Sequence, residues 1–284
     1  MTLRLTAAVA VVVIAVALVA AYFAAQRPST SYVPAASDTA YRSVNNADHD
    51  ALINTYSYTD CLKFTDPTCA PRIETIKAAA QKWVADLQAT PAPPRFAVID
   101  RLLRLHLNAT ISALGIASEA ISANSESAFN ATMDFNAGHQ AHWFDRMAGA
   151  IVYGSTVNAS DYKQVVDAQR LSLDSCALCQ ELGGTTFADC ADPKSALCWM
   201  EVSSVGDQIA VMLGATVLTA APSEFSGHGS RLQSNLADAD KALLDMEIDL
   251  MSGSPAGASA LPSDRVTYQR ALTGIKSEIA AVLG

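Results

Sequence analysis

The sequence predicts an all-α protein: an N-terminal transmembrane helix followed by a disulfide-braced bundle of five to six helices. Three observations support this fold class. Residues 5–25 contain no charged side chain. Alanine, the strongest helix former, supplies much of the 50% apolar content, whereas aromatic residues supply only 7%. After residue 30, apolar side chains recur at helical spacing, and alternating β-branched runs are nearly absent.

The apolar N-terminal segment, residues 1–25, is the predicted transmembrane anchor. As a helix that rises about 1.5 Å per residue, residues 5–25 would span roughly 30 Å, the thickness of a bilayer's hydrocarbon core. The alternative is a secretory signal cleaved near Val19-Ala20-Ala21. Because the apolar run is longer than the usual signal core of about 7–15 residues, we expect an uncleaved single-pass anchor.

The remainder is predicted to comprise a linker and one domain. Residues 26–45 are rich in Ser, Thr, Ala and Pro without apolar periodicity, which predicts a flexible linker. Residues 46–284 are predicted to form the extracytoplasmic helical-bundle domain. Its helices are expected over residues 72–89, 96–123, 127–153, 160–182, 196–218, from Ser223 or Ser230 to about 251, and 265–283.

The sequence supports two further expectations, one about residues 196–218 and one about residues 253–262. Residues 196–218 are apolar nearly all round, which is typical of a helix at the centre of a bundle. Residues 253–262 are rich in Gly, Ser, Ala and Pro, which predicts a loop before the last helix.

The six cysteines indicate disulfide bonds, because their number is even and the chain is predicted to be exported. They are Cys61, Cys69, Cys176, Cys179, Cys190 and Cys198. We expect Cys61 and Cys69 to form a local disulfide. The other four allow three pairings. The nested one, Cys179–Cys190 inside Cys176–Cys198, suits a helical hairpin best.

The clustered cysteines have two alternative interpretations. A zinc site would need four thiolates, and only Cys176 and Cys179 have the tight spacing of a zinc knuckle. A redox function of Cys176 and Cys179 is the second alternative. It is disfavoured because the pair is predicted to lie late in a helix, away from the helix N-terminus that would lower a thiol pKa.

The most specific candidate metal ligands are His139, His142 and Asp145, at intervals of three residues on the predicted helix 127–153. Imidazoles and carboxylates at this spacing share a helix face and can bind a metal within a bundle. All three nevertheless lie on one helix, and no Glu-x-x-His motif occurs anywhere in the chain. We therefore expect no stoichiometric metal and no other cofactor.

The other ionisable side chains are interpreted as structural. His49, His106 and His228 are isolated in the sequence. The predicted helix ending near residue 251 is acidic and is interpreted as having a solvated face. Its acidic residues are Asp238, Asp240, Asp245, Glu247 and Asp249.

The net charge of −9 argues against nucleic acid as a partner, and neither a phosphate-binding loop nor a nucleophile elbow occurs. The sequence favours a membrane-anchored, non-enzymatic binding or scaffold domain on the extracytoplasmic side, presenting helical faces to a protein partner in the envelope. Two alternatives remain open. One is metal or cofactor binding through His139 and His142, and the other is thiol–disulfide exchange through Cys176 and Cys179.

Overall fold

The computed structural model describes residues 36–55, 61, 64–182, 196–252 and 255–284, and these residues form an all-α fold, as predicted. The described part contains ten α-helices. They are α1 (Ala36–Thr55), α2 (Cys69–Ala89), α3 (Ala97–Ser122), α4 (Glu126–Asp134), α5 (Ala141–Tyr153), α6 (Ala159–Ser175), α7 (Ala177–Leu182), α8 (Ala196–Leu218), α9 (Ser226–Ser252) and α10 (Pro255–Leu283).

Shorter elements connect these helices. A π-helical turn, Phe135–Gln140, joins α4 to α5, and 3₁₀ turns Pro94–Phe96 and Ser223–Phe225 precede α3 and α9. Two short strands, β1 (Ser155–Thr156) and β2 (Thr219–Ala220), pair in parallel where α5 and α8 end. The predicted anchor, residues 1–25, lies outside the described residues. Within the described residues, no helix is both long and apolar enough to cross a bilayer.

Helix α8 lies at the centre of the bundle, which confirms the prediction from its apolar composition. It contacts α5, α7, α9 and the π-helical turn. Its buried side chains include Val202, Val205, Ile209 and Leu213. Around it, α3 packs on α2 and α9, α1 packs on α2 and α5, and α10 packs along α9. Each amphipathic helix thereby buries its apolar side against at least one neighbour.

The predicted linker is wrong for residues 36–45, because these residues form the first half of α1. Tyr41 is fully buried, stacks on Phe96 and donates a 3.0 Å hydrogen bond to Asp100. Arg95 forms a salt bridge with Asp38. Contacts to α3 and to the turn before it therefore order a segment whose own apolar periodicity is too weak to predict a helix.

The structure has more helices than predicted, because two predicted helices are interrupted. The π-helical turn divides the predicted helix 127–153, and the predicted helix 160–182 ends at Ser175 and resumes at Ala177. The residue between these two pieces, Cys176, has a non-helical backbone (φ −83°, ψ 86°). The predicted loop 253–262 is wrong from Pro255 onward, because Pro255 begins α10. The first position of a helix accepts proline, since its N–H would have no helical partner.

Glycine is required at position 154, where α5 meets the end of α8. A Cβ atom there would lie 2.5 Å from the carbonyl oxygen of Ala150 and 2.7 Å from that of Val217. Both are backbone atoms, so the steric clash could be relieved only by moving a helix. We expect Gly154→Ala to lower the free energy of unfolding by about 1–3 kcal/mol, measured by thermal or denaturant unfolding.

Gly149→Ala is the matched control for this substitution. Gly149 lies inside α5, and a Cβ atom there would have nothing within 4 Å. Because alanine is the better helix former, this variant should gain about 0.5–1 kcal/mol. Equal effects of the two substitutions would contradict the close approach of α5 and α8.

Candidate functional site

The structure does not bring the predicted metal ligands His139, His142 and Asp145 to one point. His139 is buried in the π-helical turn, whereas His142 and Asp145 are exposed on α5. The wider π-helical turn rotates His139 away from the face that the other two share. Asp145 lies instead beside His49 of α1. Among the described residues, no three His, Cys, Asp or Glu side chains lie close enough together to hold a metal ion.

Five polar side chains meet in the centre of the bundle, and we call this group the core polar cluster. Its members are His106 from α3, His139 and Gln140 from the π-helical turn, and Asp240 and Glu247 from α9. None is more than 2% exposed. Buried polar and charged groups are costly unless they are paired, so the contacts of each member determine what the cluster can do.

One half of the core polar cluster is centred on Asp240, which is fully paired. The Nε2 atom of His106 donates to Asp240 at 2.8 Å, its Nδ1 atom lies 2.9 Å from the side-chain oxygen of Gln140, and the amide nitrogen of Gln140 has no hydrogen-bond partner. The indole N–H of Trp143 donates to the other carboxylate oxygen of Asp240 at 3.0 Å. The Trp143 ring also stacks on His106, with 3.8 Å between ring centroids. Both oxygens of Asp240 therefore accept hydrogen bonds, which offsets the cost of its burial.

The other half, His139 and Glu247, is not hydrogen-bonded. Nε2 of His139 lies 3.7 Å from Glu247, and Nδ1 lies 3.8 Å from Asp207, both beyond hydrogen-bond distance. Neither carboxyl oxygen of Glu247 has a hydrogen-bond partner. Glycine at position 206 makes room for the imidazole, because a Cβ atom there would lie 2.8 Å from Cε1 of His139.

Burial shifts the pKa values of these two side chains in opposite directions. Desolvation lowers the pKa of His139 to about 4, although nearby Asp207 opposes the shift. Desolvation raises the pKa of Glu247 well above its ordinary 4.5, and the charges of Asp207 and Asp240 add to this. Burial therefore favours the neutral form of both side chains. Asp207, whose side chain is 39% exposed, lies between His139 and solvent.

The raised pKa of Glu247 predicts a pH dependence of stability. The folded protein keeps a proton that the unfolded chain releases above about pH 4.5, so stability falls as pH rises until Glu247 ionises in the folded state. Within this window the free energy of unfolding falls by about 1.4 kcal/mol for each unit that the pH rises. Glu247→Gln removes this titration while keeping the shape of the side chain. We expect a flatter pH dependence and greater stability at about pH 7–8 than the wild type.

The measurement is denaturant unfolding at several pH values between about 5 and 8. Asp238→Asn is the control. Asp238 is exposed on the same helix, so this substitution should leave the slope of unfolding free energy against pH unchanged. An unchanged slope in Glu247→Gln would show that Glu247 does not hold the proton.

The clustered cysteines pair differently from the favoured prediction. Cys176 and Cys179 are bonded to each other, with 5.3 Å between their Cα atoms. The nested pairing, Cys176–Cys198 with Cys179–Cys190, is therefore wrong. Cys198 is buried near the start of α8 and is also disulfide-bonded, and Cys190 lies outside the described residues. The two cysteines lie three residues apart where the chain passes from α6 to α7, and their Cα atoms are within the usual distance for a disulfide.

The two residues of this disulfide differ in their burial. Cys176 is partly buried in the break between α6 and α7, whereas Cys179 is fully buried. The backbone N–H of Cys179 donates to Sγ of Cys176 at 3.1 Å. The hydroxyl of Tyr268, on α10, donates to the carbonyl oxygen of Cys179 at 3.3 Å. A reagent in solvent would therefore reach Cys176 before Cys179.

The predicted disulfide between Cys61 and Cys69 stays a prediction. Both residues are buried, and the thiol of Cys61 donates to the carbonyl oxygen of Cys69 at 3.5 Å. Burial, together with the neighbouring Cys61, raises the pKa of the Cys69 thiol to about 12. As a thiol, Cys69 is therefore a poor nucleophile at neutral pH.

Sequence reasoning missed the roles of His106, Asp240 and Glu247 in the core. A solvated face was the right interpretation for the exposed Asp238 but the wrong one for the buried Asp240 and Glu247. The signal was present in the sequence. The buried positions of α9 include Leu236, Asp240, Leu243, Glu247 and Leu250, at alternating steps of four and three residues. Two acids within an apolar stripe indicate a buried polar site.

No family model, curated protein or solved structure matches this chain. The function is therefore argued from the residues and their geometry.

Proposed function

We propose that this chain is a thiol–disulfide exchange protein of the cell envelope, and that the disulfide between Cys176 and Cys179 is its reacting group. The observation that carries the proposal is the difference in burial between the two bonded residues. Cys176 is only partly buried and is the more accessible to attack, and the buried Cys179 three residues later is placed to re-form the bond. Residues 1–25 would hold the bundle at the extracytoplasmic surface of the membrane.

The break in the helix removes the main argument against a redox function. The sequence places Cys176 within a helix, whereas the structure ends α6 at Ser175. The sulfur of Cys176 accepts the N–H of Cys179. A hydrogen-bond donor at this sulfur stabilises the negative charge that develops when Cys176 leaves as a thiolate.

A purely structural role, in which the disulfide only stabilises the fold, is less well supported. On the chain-entropy estimate, closing a four-residue loop is worth about 2 kcal/mol, against about 3 kcal/mol for a loop of about 15 residues. In addition, α6 is held against α8 without it. Gln169 donates to the carbonyl oxygen of Met212 at 3.3 Å and to the hydroxyl of Thr216 at 3.0 Å.

The proposed reaction is a two-electron exchange with a protein dithiol. A substrate thiolate attacks Sγ of Cys176, the Cys176–Cys179 bond breaks, and Cys179 leaves as a thiolate that takes a proton from water. The second substrate thiolate then attacks the substrate sulfur of the mixed disulfide and releases Cys176. The substrate is oxidised to a disulfide, and this chain is reduced. A second disulfide compound in the same compartment reoxidises it by the reverse exchange.

The test identifies which cysteine sulfur a substrate thiol attacks, and it uses the full-length chain in detergent. A reduced peptide with two cysteines is the substrate, and peptide mapping by mass spectrometry is the measurement. The wild type should oxidise the peptide. Cys179→Ser, first oxidised with a small disulfide, should capture a single-cysteine form of the peptide as a mixed disulfide on Cys176, because that peptide has no second thiolate to release Cys176. Cys176→Ser should not capture it, because Cys179 is buried.

The double variant Cys61→Ala/Cys69→Ala is the control, because it removes both buried sulfur atoms elsewhere in the fold and should leave peptide oxidation unchanged. A wild-type disulfide that stays intact with the peptide, together with no capture by Cys179→Ser, would reject exchange. The bundle would then be interpreted as the binding or scaffold domain that the sequence favours.

The extracytoplasmic location is a separate prediction. Disulfides persist in oxidising compartments, and an even number of cysteines is typical of exported proteins. Protease added to intact spheroplasts should degrade the domain while leaving a cytosolic marker intact. A domain that is degraded only after the spheroplasts are lysed would contradict this location.

A further inference from the structure

We infer that Gln180 is a positioning residue of the proposed exchange site, which keeps the N–H of Cys179 at the sulfur of Cys176 when the disulfide opens. The inference rests on the proposed function, because it concerns the reduced state that exchange would produce. Its chemical consequence is a stabilised thiolate on Cys176. The hydrogen bonds of Gln180 across the break between α6 and α7 support it.

Gln180 joins α7 to the two helices beside it. Its side-chain Nε2 donates to the carbonyl oxygen of Leu173, in the last turn of α6, at 3.2 Å. Its Oε1 accepts a hydrogen bond from Nζ of Lys276 on α10. Its backbone N–H donates to the carbonyl oxygen of Cys176 at 3.3 Å. This partly buried residue therefore connects α6, α7 and α10.

These contacts fix the Cys176 end of the break. The backbone of Cys176 is non-helical, so α6 does not continue directly into α7. The carbonyl oxygen of Leu173 accepts both the N–H of Cys176, at 3.2 Å, and Nε2 of Gln180. Leu173 is 1% exposed, so this acceptor is held in the core. Gln180 therefore ties the start of α7 to a fixed point without using the disulfide.

The Cys179 end of the segment is held by α10. The hydroxyl of Tyr268 donates to the carbonyl oxygen of Cys179 at 3.3 Å, and both residues are fully buried. With Gln180 in place, both ends of the segment keep their positions when the bond between the two sulfur atoms breaks. Without it, Cys176 can turn away from the N–H of Cys179 while Cys179 itself stays in the core.

The N–H of Cys179 stabilises negative charge on Cys176. Cys176 directly precedes α7, and Cys179 is the third residue of that helix. The N–H at this helical position commonly bonds the side chain that caps a helix, and here it donates to Sγ of Cys176 at 3.1 Å. Hydrogen bonds to charged groups are the stronger ones, so this donor favours the thiolate over the thiol. Cys176 thereby becomes a better leaving group in the step that releases the oxidised substrate.

The test measures how the rate of alkylation of Cys176 by iodoacetamide depends on pH in the full-length chain, with peptide mapping to identify the site. The substitution Cys179→Ala leaves Cys176 as a free thiol and retains the backbone N–H at position 179. Adding Gln180→Ala to this variant should slow alkylation at pH 7 about threefold. The thiolate fraction falls about tenfold, and the more basic thiolate that remains reacts about three times faster.

Gln169→Ala in the same Cys179→Ala chain is the matched control. It removes the same type of side chain, together with the hydrogen bonds that attach α6 to α8. Gln169 does not bridge the break, so this substitution should leave the alkylation profile unchanged. An equal effect of the two substitutions, or an unchanged profile in Gln180→Ala, would overturn the inference.

This measurement does not depend on peptide oxidation, so the inference and the proposed function can fail separately. Slower alkylation in Gln180→Ala, with no peptide oxidation by the wild type, would support the positioning role of Gln180 and reject the exchange function. Peptide oxidation by the wild type, with an unchanged alkylation profile in Gln180→Ala, would overturn the positioning role and support the exchange function.

Discussion

The buried carboxylate of Asp240 is the interaction on which the arrangement of the bundle depends. It accepts hydrogen bonds from His106 of α3 and from Trp143 of α5, so one side chain of α9 joins three helices. A buried charge that loses a partner costs about 3–5 kcal/mol, which strongly disfavours other arrangements of these helices. The π-helical turn follows from the same constraint. It lets the consecutive residues His139 and Gln140 both face inward one turn before Trp143.

The sequence predicts well those elements whose apolar pattern alone decides the structure. Helix α8 is one, because nearly every face of it is apolar and the central position follows. Helix α1 could not be predicted, because polar contacts of Tyr41 and Asp38 with residues distant in the chain hold it. The burial of Asp240 in the core could not be predicted for the same reason. An acid on a helix usually faces solvent, and the partners that let Asp240 be buried, His106 and Trp143, lie 134 and 97 positions away in the chain.

The disulfide pairing shows how one backbone position can change a functional interpretation. The spacing of the cysteines predicts disulfides but leaves three pairings open, because the choice depends on where a helix ends. Periodicity continues through Cys176, since Leu173 and Cys179 are buried on either side of it. The non-helical backbone of Cys176 is a local feature that this pattern does not encode. Once the helix ends there, the local pair forms and the nested pairing becomes impossible.

The core and the disulfide lie in separate parts of this fold. The core polar cluster and α8 hold the helices together, although the unpaired Glu247 and His139 lower the stability. Helix α6 is fixed to α8 by Gln169 and by the hydrogen bond from Gln208 to Ser172. These contacts do not involve Cys176 or Cys179, so the attachment of α6 does not depend on the disulfide. Opening a bond that closes only four residues would therefore leave α6 attached to α8, which is the condition that the proposed exchange requires.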